Sequence, residues 1–342
     1  AEQPVTVVTT PAPTQVAQSS RLVVQNRASD LAEAGWRGLQ AHDIEAVAAT
    51  YSDQSVYDDR RSIGGGPLAG VGWSRRAAER AIADYPHAEW QTIAVRGNTL
   101  ALLSGHLWDD AGNESVTLNV FELAADGLIG YHGRFDGDDF QGAYREMESR
   151  YYRREGAALA ENGHAASAWV EAMWRCDVEA ARRISWPHFR WLASPSALKP
   201  AERSIDEFFD WQIERARQLS AMQKWVATIH WISPSCCVAL SAIQGVGADG
   251  EEYDWSRIYA AEYRDGLAVS VREFDVDDED AAFTYAESLV AHTPRRLVVA
   301  NAASRVGDRA FKSLQANDAD AVNDLFSADI VYEDRRPVAG AL

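Results

Sequence analysis

Cysteine is scarce in this sequence. Of three in 342 residues, Cys236 and Cys237 are adjacent and Cys176 stands alone, so no disulfide framework can be built. A reduced, cytoplasmic setting is therefore expected. No apolar run approaches the roughly 20 residues that cross a bilayer as a helix, and no basic-then-apolar leader is present, so no membrane partner is expected. Positive charge is also short: 33 Lys and Arg face 51 Asp and Glu, for a net charge of −18. That balance opposes phosphate backbones and anionic surfaces, and nucleic acid is not expected as a partner. Lysine accounts for only 3 of the basic residues, the usage of a GC-rich bacterial genome. The eight histidines are scattered without H-x-x-x-H spacing, and no C-x-x-C occurs, so neither a metal nor a cofactor is expected. Gly64 to Gly66 has no lysine beside it and reads as a turn rather than a phosphate loop.

What is present is repetition. SVYDDRRSIGGG at Ser55 to Gly66 returns as IVYEDRRPVAG at Ile330 to Gly340, and LVVQNRAS from Leu22 returns as LVVANAAS from Leu297, an offset of 275 residues. A weaker middle copy lies between them. DIEA at Asp43 matches DVEA at Asp177, and DGL…FDGDD from Asp126 matches DGL…FDVDD from Asp265. Each interval is near 137 residues, an ordinary domain size. The expected organisation is a linker or tail at 1–20, a first repeat at 21–157, a divergent Trp-rich second repeat at 158–295 and the start of a third at 296–342. The third stops after its first strand. Too small to bury a core alone, it points to a piece of a longer protein.

Within the first repeat, apolar spacing predicts a helix ending at Gln40 with Ser29 as its N-cap, then a short helix capped by Asp43 and closed by Tyr51 to Gln54. A strand follows at Ser55 to Arg61, broken by Gly64 to Pro67, and a third helix at Val71 to Ala83 is halted by Pro86. The period then changes to two. Strands are expected at His87 to Arg96, Thr99 to Trp108, Ser115 to Leu123 and Leu128 to Phe135, joined by short turns and therefore antiparallel. This is an α+β order, with helices covering one face of a curved sheet.

The pattern D-x-E-A, then V-Y-D/E-D-R-R-x-x-x-G, then a meander ending in R-F-D-x-D-D resembles the SnoaL-like bacterial branch of the NTF2-like superfamily. The resemblance implies tandem cone-shaped domains, each a mostly antiparallel curved sheet covered by about three helices and wrapped around a hydrophobic pocket. It also implies relatives of two kinds. Some are enzymes, namely polyketide cyclases, ketosteroid isomerases, scytalone dehydratases and limonene epoxide hydrolases, and others only bind ligands or partners. Fold analogy does not choose between them.

Strand alternation narrows the candidates for chemistry. Tyr57 and Asp59 share one face and Val56 and Asp58 the other, and Asp59 recurs as Asp334, which favours Tyr57 and Asp59 facing inward. The alternative is a set of surface ion pairs from Asp58 to Arg61. His132, Arg134 and Asp136 share a face of the last strand. Asp59, Arg134 and Asp136 are similar in residue type to the Asp-Arg-Asp set of the epoxide hydrolase relatives, while Asp136 serves equally to cap the following helix. Trp90, His106, Trp108, Asn119 and Phe121 supply apolar walls and a few polar groups for a ligand pocket, or His106 lies solvated on the outer face.

The middle repeat replaces Tyr57-Asp58-Asp59-Arg60 by Trp191-Leu192-Ala193-Ser194 and Arg134 by Glu273. Its added rings are expected to fill its core, the alternative being a cone that binds something flatter and more apolar. A pseudo-dimer of repeats one and two is expected within the chain. The leading functional expectation is a small-molecule-binding, regulatory or scaffold module of a larger bacterial protein, with a hydrophobic small molecule as partner. The other is a SnoaL-type enzyme in which Asp59 or Asp136 transfers a proton while Tyr57 or Arg134 stabilises an oxyanion.

Overall fold

In the computed structural model, residues 20–292 are described except 65, 71, 195–200 and 248, together with scattered positions between 306 and 325. The first helix, α1 (Arg27–Gln40), is started by Asn26 rather than Ser29. The Asn26 side chain accepts from the Ser29 N–H, and the Ser29 hydroxyl accepts from the Asn26 N–H. This reciprocal box makes Ser29 the third helical residue and satisfies two otherwise orphaned donors. Asp43 caps α2 (Ile44–Ala48) by accepting from Ala46 N at 3.0 Å, as the sequence predicts.

Strand β1 (Tyr51–Asp59) begins four residues earlier than expected, because Tyr51 already pairs with Ile129. The glycine-rich turn leads into a short strand, β2 (Gly66–Ala69), which returns along β1. Helix α3 (Trp73–Asp84) stops where Tyr85 turns extended ahead of Pro86. Four strands follow, β3 (His87–Arg96), β4 (Leu100–Trp108), β5 (Glu114–Leu123) and β6 (Ile129–Asp136), within two residues of the expected ends.

The sheet runs β2-β1-β6-β5-β4-β3 and is antiparallel except where β1 lies parallel to β6. Its two faces are both apolar. Ala101, Leu103 and Leu107 pack toward α1, whereas Leu100 and Leu102 pack toward α4 (Phe140–Arg153) on the opposite side. Helices thus cover both faces rather than one, since β4 and β5 are buried front and back. The cap of α4 is Asp139, which accepts from Gly142 N at 3.0 Å.

The second repeat follows the same plan. It has α5 (Ala160–Arg175), α6 (Val178–Arg183), β7 (Ser185–Leu192), β8 (Glu202–Arg203), α7 (Ile205–Ala216), β9 (Leu219–Ser233), β10 (Cys236–Gly247), β11 (Glu252–Arg264), β12 (Leu267–Phe274) and α8 (Glu279–His292). Its sheet order, β8-β7-β12-β11-β10-β9, matches the first strand for strand, and β7 is parallel to β12. The chain is therefore an α+β protein built of two like units, as the repeat in the sequence implies. Asp177 caps α6 as Asp43 caps α2, accepting from Ala180 N at 2.9 Å.

Residues 20–292 lie in one compact body, and 293–342 form a separate unit. In that unit Asp318 accepts from Ala321 N at 3.0 Å, the same cap again. The strand expected at 330–340 lies outside the described residues. Inside the larger body, Trp225 and Ala227 of β9 enter the core between the first sheet and α4. Trp225 Nε1 donates to Ile93 O at 3.0 Å, and Arg96 Nη2 donates to Val226 O at 2.9 Å.

Candidate functional site

Between the inner face of the first sheet and α1–α3 lies a cavity of about 640 Å3, its open mouth included. Helices supply its apolar wall through Trp36, Val47, Trp73 and Ala78, and β5 and β6 supply its polar side. Alternation brings Thr117, Asn119 and Phe121 of β5 to the same face, and the pairing of Phe121 with His132 and of Asn119 with Arg134 sets the two strands side by side. Tyr57 arrives from β1 opposite His132.

These groups form a hydrogen-bonded rail. Tyr51 Oη donates to His132 Nδ1 at 3.0 Å, His132 Nε2 donates to Asn119 Oδ1 at 3.0 Å, and Asn119 Nδ2 donates to Thr117 Oγ1 at 3.2 Å. The order is self-consistent only for a neutral imidazole with its proton on Nε2. Burial brings His132 from 6.5 down to about 3, with the nearby Arg134 charge adding to the effect and Asp59 opposing it. Burial pushes the Tyr51 hydroxyl well above its usual range, so it stays a donor. Tyr57 is also raised by burial, which the Arg134 charge and hydrogen bond partly offset. Its ring stacks on Trp73 with centroids 5.0 Å apart, and Trp73 is itself fixed by Nε1 donating to Ser55 Oγ at 3.0 Å.

The structure brings Tyr57, Asn119, Phe121, His132 and Arg134 together on the cavity wall. The two carboxylates stand outside it. Asp59 is held by Arg61, with Nε to Oδ1 at 2.8 Å and Nη2 to Oδ2 at 2.6 Å, and it accepts from Tyr57 Oη at 3.2 Å. Burial pushes the Asp59 carboxyl up, but the Arg61 hydrogen bonds and charge outweigh this and leave it below the usual range. Asp136 Oδ2 accepts from Ser62 N at 2.8 Å, which tethers the loop after β1 rather than capping a helix. Trp90 stacks behind Trp36 with centroids 6.4 Å apart, so it backs the wall without lining it.

His106 and Trp108 lie on the other face of β4. His106 bonds Glu89 at 3.0 Å and Glu114 at 3.1 Å, both exposed, and its ring centroid is 4.8 Å from that of Trp108. Among the cavity residues that are not sequence candidates are Tyr51, in the segment expected to close α2, and the helical Trp36 and Trp73.

The second repeat is not filled by its rings. Trp169, Trp191 and Phe208 pack on one another with centroids 5.4–5.5 Å apart. The strands facing them carry the small residues Cys237, Ala239, Ser241 and Ala261, and the cavity there measures about 680 Å3 with its open mouth included. Among the described residues no cluster of His, Cys, Asp and Glu is arranged for a metal, and no helix is long and apolar enough to cross a membrane.

No protein-family model matches the chain, and no curated protein matches it in sequence. Solved structures do. An NTF2-like protein of unknown function from Burkholderia pseudomallei is 16% identical over 36% of this chain and 98% of its own, with a TM-score of 0.30. A protein described as a SnoaL-like polyketide cyclase, from Jannaschia sp. CCS1, is 16% identical over 37% and 92%, with a TM-score of 0.29. A Mycobacterium tuberculosis protein in complex with estradiol-17β-hemisuccinate is 21% identical over 34% and 97%, with a TM-score of 0.29. The solved structures similar to this chain are NTF2-like and SnoaL-like proteins, each spanning about one repeat, and the likeness is one of fold.

Proposed function

We propose that the first repeat is a binding module for a small, mostly apolar molecule bearing one oxygen acceptor, and that it serves a regulatory or scaffolding role within a larger bacterial protein. The observation that carries this reading is the separation of the cavity from the carboxylates. The wall offers aromatic surface, a neutral rail and the Arg134 cation. Asp59, by contrast, is ionised and occupied by Arg61 at the rim. A general acid must hold a proton near neutral pH, and a carboxylate paired in this way does not. His132 has both ring nitrogens engaged and is held neutral near pH 7, so it orients rather than transfers a proton there. The steroid ester held by the mycobacterial neighbour is a molecule of the same broad kind, apolar with oxygen acceptors.

We read the two repeats as an intramolecular pair. Arg96 and Trp225 support this by donating from each repeat to backbone carbonyls of the other.

The test is mass spectrometry of the purified chain under native and then denaturing conditions, to catch a molecule released on unfolding, followed by titration of that molecule against variants. Arg134→Met is expected to weaken binding at least tenfold, and Asp59→Asn to change it by less than threefold. If Asp59→Asn instead abolishes turnover of a ligand that it still binds, the acid-base enzyme of the cyclase or isomerase kind replaces this reading.

A further inference from the structure

The cavity of the second repeat differs from the first in one residue that its apolar surroundings do not require. Through the ladders, Leu107 of β4 pairs with Ala88, and its counterpart Ile243 of β10 pairs with Lys224. Lys224 thus stands where the first repeat has alanine, and it lines the cavity together with Trp169, Trp191 and Phe208. Its ammonium donates to Tyr259 Oη at 3.0 Å. Among the described residues no carboxylate lies within ion-pair distance of it. The nearest acidic influence, Glu273 of β12, is taken by Arg257 Nε at 3.0 Å.

An ammonium has three donors, and in half-buried Lys224 the partners are one neutral hydroxyl and the Tyr259 ring face, 4.3 Å from Nζ to the centroid. Removing such a charge from water without a counter-ion costs stability, and folds retain that cost mainly where a ligand repays it. Burial brings Lys224 from 10.5 down to about 8, with Glu273 pulling it up and Arg215 of α7 pushing it down. The group remains mostly protonated at neutral pH.

We propose that the second cavity is a site for a flat aromatic monoanion, its anionic group held by Lys224 Nζ and the Tyr259 hydroxyl and its rings lying among Trp169, Trp191 and Phe208. The site is distinct from the first cavity and does not depend on what that cavity binds. Lysine supplies the charge and tyrosine a second donor, while the small residues on β10 and β11 leave room for the ring body. Its cation is on β9, whereas that of the first cavity, Arg134, is on β6.

The experiment titrates the full chain with anilinonaphthalene sulfonate, an aromatic monoanion, and with N-phenylnaphthylamine, a neutral molecule of like shape. It is run in an Arg134→Met background so that the first cavity contributes no cationic site. Lys224→Met is expected to weaken the anionic probe at least tenfold and the neutral probe less than twofold. Raising the pH from 7 to 9 is expected to weaken the anionic probe in the Lys224 protein and not in Lys224→Met. The titratable and charged groups facing Lys224 are Tyr259 on β11, Glu273 on β12 and Arg215 on α7, and burial keeps the Tyr259 proton in place over that range. Plugging the cavity with Ala239→Trp is expected to remove the anionic probe. Equal affinity of the anionic probe for Lys224→Met, or no binding of it by the chain at all, would overturn the proposal.

Discussion

His132 sets the acid sensitivity of the first cavity. Its folded pKa, about 3, lies below the 6.5 of the free side chain, so between those values the unfolded chain binds more protons than the folded one. Stability is therefore fully present above pH 6.5 and falls as the pH drops toward 3. A depression of that size corresponds to on the order of 2–4 kcal/mol once partial exposure is allowed for. Urea unfolding at several pH values is expected to show this loss in the native protein and a visibly flatter profile in His132→Gln, which keeps one donor and one acceptor but does not titrate.

Residue alternation made much of this legible. Tyr57, His132 and Arg134, which alternation sets on one face of their strands, all line the cavity. What parity does not encode is depth along the strand. Asp59 and Asp136 lie on the same strands yet do not line the cavity, and Arg61 and the Ser62 amide hold them instead.

Elements carry their own tests. Gly105 of β4 faces the Trp36 ring so closely that an added Cβ would lie 2.2 Å from it. Gly105→Ala forces that ring into the cavity and is expected to cost about 1–3 kcal/mol, with a drop in affinity for whatever the cavity holds. Asp177→Ala removes the cap of α6 and is expected to cost about 1 kcal/mol, read as a shifted urea midpoint with an unchanged slope. The caps and the meander could be read from the sequence because they depend on neighbours a few residues away: Asp43 and its Ala46 amide, or the turn residues between β5 and β6. The start of β1 could not. Tyr51 to Gln54 continues a helical pattern locally, and only pairing with Ile129, far along the chain, makes it a strand. The cavity in the second repeat was concealed for a similar reason, since a count of rings does not say that they stack on one another.

At the scale of the whole molecule, a buried ion pair within the first repeat also reaches a backbone carbonyl of the second. Arg96 has a side chain only 1% exposed. Its Nε donates to Glu148 Oε1 at 2.7 Å and its Nη2 to Tyr144 Oη at 2.7 Å, and the same Nη2 reaches Val226 O of the second repeat. Arg96→Ala leaves the buried Glu148 without its cation, with the Ser167 hydroxyl still donating to it, and is expected to cost about 3–5 kcal/mol. The double variant Arg96→Met with Glu148→Met is expected to recover most of that loss, measured by thermal melting of the three proteins side by side. The beginning of the described chain is fastened in a comparable way. Leu22 is 1% exposed within the core formed by the second sheet and α8, and the Arg21 N–H donates to Glu279 Oε1 at 2.6 Å across 258 residues of sequence. A ribosome adding roughly 5–20 residues per second would leave Leu22 waiting about ten to fifty seconds for that seat to be synthesised. Throughout that interval the nascent first repeat would carry an unburied apolar lead-in and an outer face still lacking Trp225, which makes chaperone capture during translation a property written into the connectivity of this molecule.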